Sequence, residues 1–260
     1  MGNTYQGALR WGVENACLRH DVDLMVYVGR TDWTSKGDQH KIFYLVDPTH
    51  VDAIVIASGV IAPSAPLEEV VANIQARCPV PICSIGQHCL GVSNILVDNE
   101  RGTSQLVDHL VKHHGRRHFV CIAGPVGHRE SERWIDWTRR SLKRQGLTLP
   151  PEALVRGDFL VSSGNDAVCQ LLDQGIDLEV VLCANDDMAV GALDAVTTVG
   201  LRCPTDVVIT GFDDTIGAHF SAPSLTTVRQ PVTRLGAMAV DHVIRMLDGE
   251  TVRDGVARRA

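Results

Sequence analysis

The chain has 260 residues, 45% of them apolar and 21% charged, and a formal net charge of −7. That size supports a substantial core and sits where one core tends to split into two, while the acidic balance leaves no basic footprint for a phosphate backbone, so this segment alone is not expected to bind nucleic acid. No window approaches the roughly 18 uninterrupted apolar residues of a membrane span and no basic-then-apolar leader opens the sequence, so the expectation is a cytoplasmic protein, without membrane contact, whose ligands are small.

In chain order, the pattern predicts a helix over 5–20, a strand at 24–28, a helix through 42–46, a strand at 53–57, a helix over 67–77 and a strand at 82–85. A short extended piece at 94–97 leads to Asp98-Asn99, whose side chains suit the cap of a helix reaching about residue 114. The pattern then restarts: strand 119–123, helix 130–145, strand 153–155, helix 164–174, strand 180–184, helix 188–199, strands 207–212 and 226–228, and helix 235–247. Short apolar runs alternating with helical periods argue for βαβ units and parallel sheets. The expected fold is therefore α/β in two lobes, each a parallel sheet flanked by helices. Gly115 and Gln230-Pro231 punctuate the chain and are the hinge candidates. They divide it into a first lobe of 1–115 with 231–249 and a second lobe of 116–230 with 250–260.

Eight cysteines lack C-x-x-C spacing, and Cys121 and Cys183 fall inside apolar strand runs. They read as reduced core thiols rather than metal ligands. No phosphate-binding glycine loop, no G-x-S-x-G and no H-E-x-x-H occurs, so neither a nucleotide cofactor nor catalysis is expected.

Two strands end in polar groups: 180–184 is stopped by Asn185-Asp186-Asp187, and 207–212 by Asp213-Asp214. In an open parallel sheet that edge carries ligands. Taken singly, each group reads as a helix cap or turn; on neighbouring strand ends, Asn185 and Asp213 together point to a ligand site. The segment 124–134 follows the strand 119–123 at the same edge and holds Arg129 and Arg133. A guanidinium suits hydroxyl, carboxylate or phosphate groups, and the ordinary alternative is an exposed arginine paired with Glu130 or Glu132. Phe159 follows Gly157-Asp158, with a core phenylalanine as its alternative. The cluster His113-His114-Gly115-Arg116-Arg117-His118 reads as a solvated helix end rather than a nucleic-acid or metal site.

Spaced blocks carry a resemblance: Val97-Asp98-Asn99 with Gly102, Gly115-Arg116-Arg117, Gly124-Pro125, Ala184-Asn185-Asp186-Asp187-Met188-Ala189-Val190-Gly191-Ala192, Gly211-Phe212-Asp213-Asp214 and Leu225-Thr226-Thr227-Val228-Arg229-Gln230-Pro231. From Asn3 to about Glu250 the chain resembles the effector-binding domain of the LacI/GalR family of bacterial regulators, which share the type I periplasmic binding protein fold. The resemblance implies a non-enzymatic, two-lobed sensor that closes on a small effector, a sugar or nucleobase-like molecule, and forms a homodimer. It puts Arg133 forward as an effector contact, with Arg129 as second choice, and Phe159 as a ring that stacks on a sugar face. Tyr5 and Gln230 complete the candidate ligand-binding set.

Two departures from the family stand out. The strand that should precede the first helix, central to the first sheet, is not in the sequence, nor is the helix-turn-helix head through which the family binds DNA. The expectation is a fragment or a mis-started reading frame, with DNA contact only through that absent head. The blocks 46–59, Pro125-Val126-Gly127-His128 and Tyr5-Gln6 also resemble the branch fused to diguanylate cyclase or histidine kinase modules, so a cyclase- or kinase-linked sensor is the alternative function.

Overall fold

The structure is a computed structural model describing residues 4–29, 42, 45–60 and 66–257. In chain order the elements are α1 (Thr4–His20), β1 (Ile54–Ile56), α2 (Leu67–Arg77), β2 (Ile82–Ile85), β3 (Ser93–Val97), α3 (Asn99–Lys112), β4 (Phe119–Ala123), α4 (Arg129–Arg144) and β5 (Leu154–Arg156). They continue with α5 (Val161–Asp173), β6 (Val180–Cys183), α6 (Asp186–Thr198), β7 (Val208–Asp213), α7 (Ile216–Phe220), β8 (Thr226–Arg229), α8 (Val232–Leu247) and β9 (Gly255–Ala257). Two units form, Met1–Asp98 with Pro231–Ala260 and Asn99–Gln230.

In the first unit, a parallel sheet runs β1-β2-β3-β9. Its core joins Leu9 of α1, Cys83, Ile85 and Ile95 of the sheet, and Leu235, Ala239 and Val243 of α8. Sequence reading places 250–260 in the second lobe, whereas residues 255–257 pair with β3 and so belong to the first. Asp254 holds that strand at its start, its carboxylate accepting from the Asn94 backbone N–H at 2.9 Å and the Asn94 amide at 3.0 Å. The run 24–28, expected as a strand, forms none. Among the described residues nothing pairs with it, and Val28 is 71% exposed; an apolar run becomes a strand only when a ladder satisfies its backbone. The helix expected through 42–46 falls largely outside the described residues.

The second unit holds the parallel sheet β5-β4-β6-β7-β8. Strands β4 and β6 are buried along their whole length, as parallel strands covered on both faces should be. Helix α3 belongs here and not to the first lobe, because Leu106, Val107, Leu110 and Val111 on its apolar face join the core that includes Phe119, Trp134 and Val228. The boundary therefore lies at 98/99 rather than 115/116. The short helix α7 was not expected; Thr215 caps it by accepting from the Ala218 N–H.

Each unit also contains one helix pair in glycine-mediated contact. A Cβ on Gly12 of α1 would lie 2.0 Å from the Thr233 carbonyl oxygen, and one on Gly236 of α8 would lie 2.5 Å from that of Leu9. In the second unit, a Cβ on Gly164 of α5 would lie 2.0 Å from the Met188 carbonyl oxygen of α6, and one on Gly191 would lie 1.8 Å from that of Val161. The backbones touch, so no side chain can be added without separating the helices. Gly12→Ala and Gly191→Ala should each cost about 2 kcal/mol or more in urea unfolding, whereas Gly7→Ala, whose Cβ meets nothing within 4 Å, should be neutral or stabilise by about 0.5–1 kcal/mol.

Candidate functional site

All five strands of the second sheet run the same way, so their C-terminal ends share one edge. The chain winds from β4 to β5 on one side and then to β6 on the other, which places the switch in strand order beside β4. A crevice outside the strand ends at such a switch is the common ligand position in open α/β sheets.

At the switch, Gly124 leaves β4 with no side chain, and the Phe159 ring occupies the space: a Cβ on Gly124 would lie 2.1 Å from Phe159 Cζ. The His128 ring packs edge-on against Phe159, centroids 5.0 Å apart, and its Nδ1 caps α4 by accepting from the Ser131 N–H at 3.1 Å. Asn185 uses both ends of its amide. Its Oδ1 accepts from the Met188 N–H at 3.0 Å, capping α6, and its Nδ2 donates to the Phe159 carbonyl at 2.9 Å. Asn185 is thus a buried cap that also anchors the Phe159 turn.

Beside it, Asp186 is fully buried. One carboxylate oxygen accepts from the Thr215 N–H and the other from the Thr227 hydroxyl, each at 2.6 Å. Gly211 makes room, since a Cβ there would lie 2.0 Å from Asp186 Oδ1. Asp186 therefore ties the end of β6 to the turn after β7 and to β8. Sequence reading passed over it, because within Asn185-Asp186-Asp187 a strand-end clamp looks like another capping residue.

Asp213 closes β7, and its Oδ1 accepts from the Gln230 amide at 2.6 Å. Asp214 pairs with Arg229, and with the His219 ring at 3.1 Å. Phe159, Asp213 and Asp214 have φ of 69°, 120° and 64°. Left-handed backbone at non-glycine residues costs on the order of 1–3 kcal/mol each and concentrates at functional sites. Here all three lie at or just past strand ends on one edge.

The arginines are arranged differently. Arg129 opens α4 and is exposed. Arg133, one turn later, is also exposed; it donates to Glu130 at 3.1 Å and lies 5.8 Å from the Trp137 ring centre. That is the helix-arginine pairing weighed as its ordinary alternative. Glu132 is held by Arg156, which donates at 2.8 Å. Tyr5 lies in the first unit, half-buried on α1 against the core that includes Leu9. Among the described residues, no group of three or more His, Cys, Asp or Glu is placed to hold a metal ion.

Charge sharpens the picture at Asp213. Burial pushes its carboxyl well above the usual range and the nearby Asp186 charge adds to this, while the Gln230 hydrogen bond pulls the other way and Asp187 pushes it further up. Burial likewise raises Asp186, against its threonine hydrogen bonds, and Asp187. Raised carboxyl pKa values mean that the folded state holds protons the unfolded chain has released. Their contribution is therefore present below about pH 4, the unfolded aspartate value, and is lost as pH rises through the folded value. Asn tolerates left-handed backbone and keeps an oxygen for Gln230. Asp213→Asn should therefore melt higher than the wild type at pH 7, with the difference shrinking toward zero near pH 4 in melts followed by circular dichroism.

A family profile described as periplasmic binding protein-like domain matches residues 107–258. The ribose operon repressor of Escherichia coli K12 is 33% identical over 163 residues, covering 63% of this chain and 49% of that protein. The HTH-type transcriptional repressor CytR of the same organism is 28% identical over 247 residues, covering 94% of this chain and 69% of that repressor. The chain thus spans about half the length of the ribose repressor it matches. Among solved structures, the transcriptional regulator CelR in complex with cellobiose superposes with a TM-score of 0.84 at 25% identity, covering 98% of this chain and 76% of that one. The Lac repressor bound to ONPG gives 0.82 at 25% identity, covering 97% and 74%. Among the described residues, no helix is long and apolar enough to cross a membrane. With two parallel sheets flanked by helices and a profile match over more than half its length, the chain belongs to the periplasmic binding protein-like domain family and has the fold of LacI-type effector domains.

Proposed function

We propose that this chain is the effector-sensing domain of a LacI-type transcriptional regulator, binding a small effector, a sugar or nucleobase-like molecule, without turning it over. The observation that carries this reading is the Asp213 carboxyl. It stands at a strand end in left-handed backbone, braced by Gln230, on the edge where Phe159 fills the space beside Gly124. A carboxyl accepts paired hydroxyl hydrogens, and an aromatic face suits the apolar side of a sugar ring.

In this reading Asp213, Phe159 and Arg133 touch the effector, with Arg129 as the second cation and Tyr5 a further candidate by family resemblance. Asn185 and Gln230 hold the contact groups in place. Arg133 must exchange its partner Glu130 for the effector, which its exposure permits. The sugar class draws support from the relatives: the ribose operon repressor by its name and CelR by its bound cellobiose. Those relatives are regulators of transcription, which favours this function over a cyclase- or kinase-linked sensor. Signalling follows from differential affinity: the effector stabilises whichever conformational state binds it more tightly and shifts the population by that difference. A homodimer, a cytoplasmic site of action and DNA contact through a separate head complete the proposal.

A thermal-shift screen of pentoses, hexoses, disaccharides and nucleosides should identify at least one compound that raises the melting temperature. Calorimetric titration of that compound should show Arg133→Ala weakened about 10- to 100-fold, the range for loss of a hydrogen bond to a charged group, and Asp213→Asn weakened about 2- to 10-fold, the range for a neutral one. Both variants should keep the wild-type circular dichroism spectrum. Unchanged affinity in both would refute the assignment.

A further inference from the structure

The C-terminal turn of α3 brings three imidazoles together at a place the effector reading does not use. His109 and His114 face each other with Nε2 atoms 3.1 Å apart. Their ring centres are 4.7 Å apart and nearly perpendicular, and the His113 ring centre lies 5.5 Å from that of His109. His109 and His113 are four residues apart, so both stand on one helical face, and the His113 N–H closes that turn on the His109 carbonyl at 3.0 Å.

Two facing ring nitrogens at this distance cannot both be protonated without repulsion. At most one carries the hydrogen of the contact, and the other presents its lone pair. The same spacing suits a shared metal: with metal–nitrogen bonds of about 2.0–2.1 Å, a tetrahedral or octahedral N–metal–N angle sets the two nitrogens roughly 2.8–3.4 Å apart. When the donor ring carries its hydrogen on Nδ1 instead, both Nε2 lone pairs are available and the neutral pair can chelate.

The surroundings select the ion. The nearby carboxylate of Asp108 is engaged by Lys112 at 2.9 Å and Gln145 at 2.6 Å, which leaves a nitrogen donor set. Nitrogen-only sites take borderline transition ions rather than calcium or magnesium. The helix C-terminus favours positive charge. Against it stand Arg116, whose charge Glu179 partly offsets at 3.8 Å, Arg117 and His118. All three histidines are exposed, so the remaining coordination positions open to water.

We propose that His109 and His114 form a two-point chelate for a divalent transition ion of the nickel, copper or zinc type, with His113 alongside but outside the pair. The site is a surface pair rather than a ready-made cage.

The test is calorimetric titration of the untagged chain with nickel chloride at pH 7.5. One equivalent should bind with a micromolar dissociation constant. His109→Asn and His114→Asn should each weaken it about 10-fold or more, since loss of even an outer-shell partner of a metal ligand costs 10- to 100-fold. His113→Asn should weaken it less, and His219→Asn, on α7, should leave it unchanged. These are surface changes, and unaltered melting curves in the absence of metal check that each variant folds. Absence of binding below millimolar nickel would overturn the proposal, as would binding that survives the His109→Asn, His114→Asn double substitution.

Discussion

The second unit depends on the carboxylate of Asp186. Its two oxygens accept from Thr215 and Thr227 at 2.6 Å each, joining the start of α6, just past β6, to the turn after β7 and to β8, beyond the point where the β6–β7 ladder ends at Leu182 and Thr210. A buried carboxylate is costly unless it is hydrogen-bonded, so the clamp persists only because both partners arrive and Gly211 leaves the space. Once those segments are joined, the turn after β7 is committed to left-handed backbone at Asp213 and Asp214. The Asp213 carboxyl is held where Gln230 reaches it. The strain at these positions and the placement of the Asp213 carboxyl follow from one constraint.

The helices follow a second constraint, close approach. In both units a helix pair, α1 with α8 and α5 with α6, meets backbone to backbone through glycines on each side. The α5–α6 contact bears directly on the site. It fixes the start of α6, where Asn185 caps the helix and holds the Phe159 carbonyl, relative to the start of α5 just after Phe159. The position of the aromatic ring is therefore set by helix packing as well as by its own turn.

Much of this was legible in the sequence. Strands buried on both faces appear as unbroken apolar runs, so β4 and β6 could be placed closely from the sequence. Pairing cannot be read that way. The run 24–28 has the composition of a strand but no neighbour among the described residues, whereas 255–257, short and unremarkable as sequence, becomes a strand because β3 is there to pair with it. The lobe boundary was displaced for a related reason. A glycine marks a place where the chain can bend, but the apolar face of α3 decides which core the helix joins. Asn185 and Asp213 were visible as polar groups at strand ends. What each side chain does was not: Asn185 is consumed by capping, Asp213 is braced through one oxygen by a residue 17 positions away, and Asp186, the clamp itself, reads in the sequence like its acidic neighbour.

The central claim is that the clamped edge of the second sheet is where the effector binds, and amide hydrogen exchange tests it most directly. Exchange would be followed in the chain alone and with ribose, cellobiose or uridine at millimolar concentration. At least one of these compounds should slow exchange at residues 124–133, 157–161 and 213–230. Protection confined to other segments, or none with any of the three compounds, would contradict it.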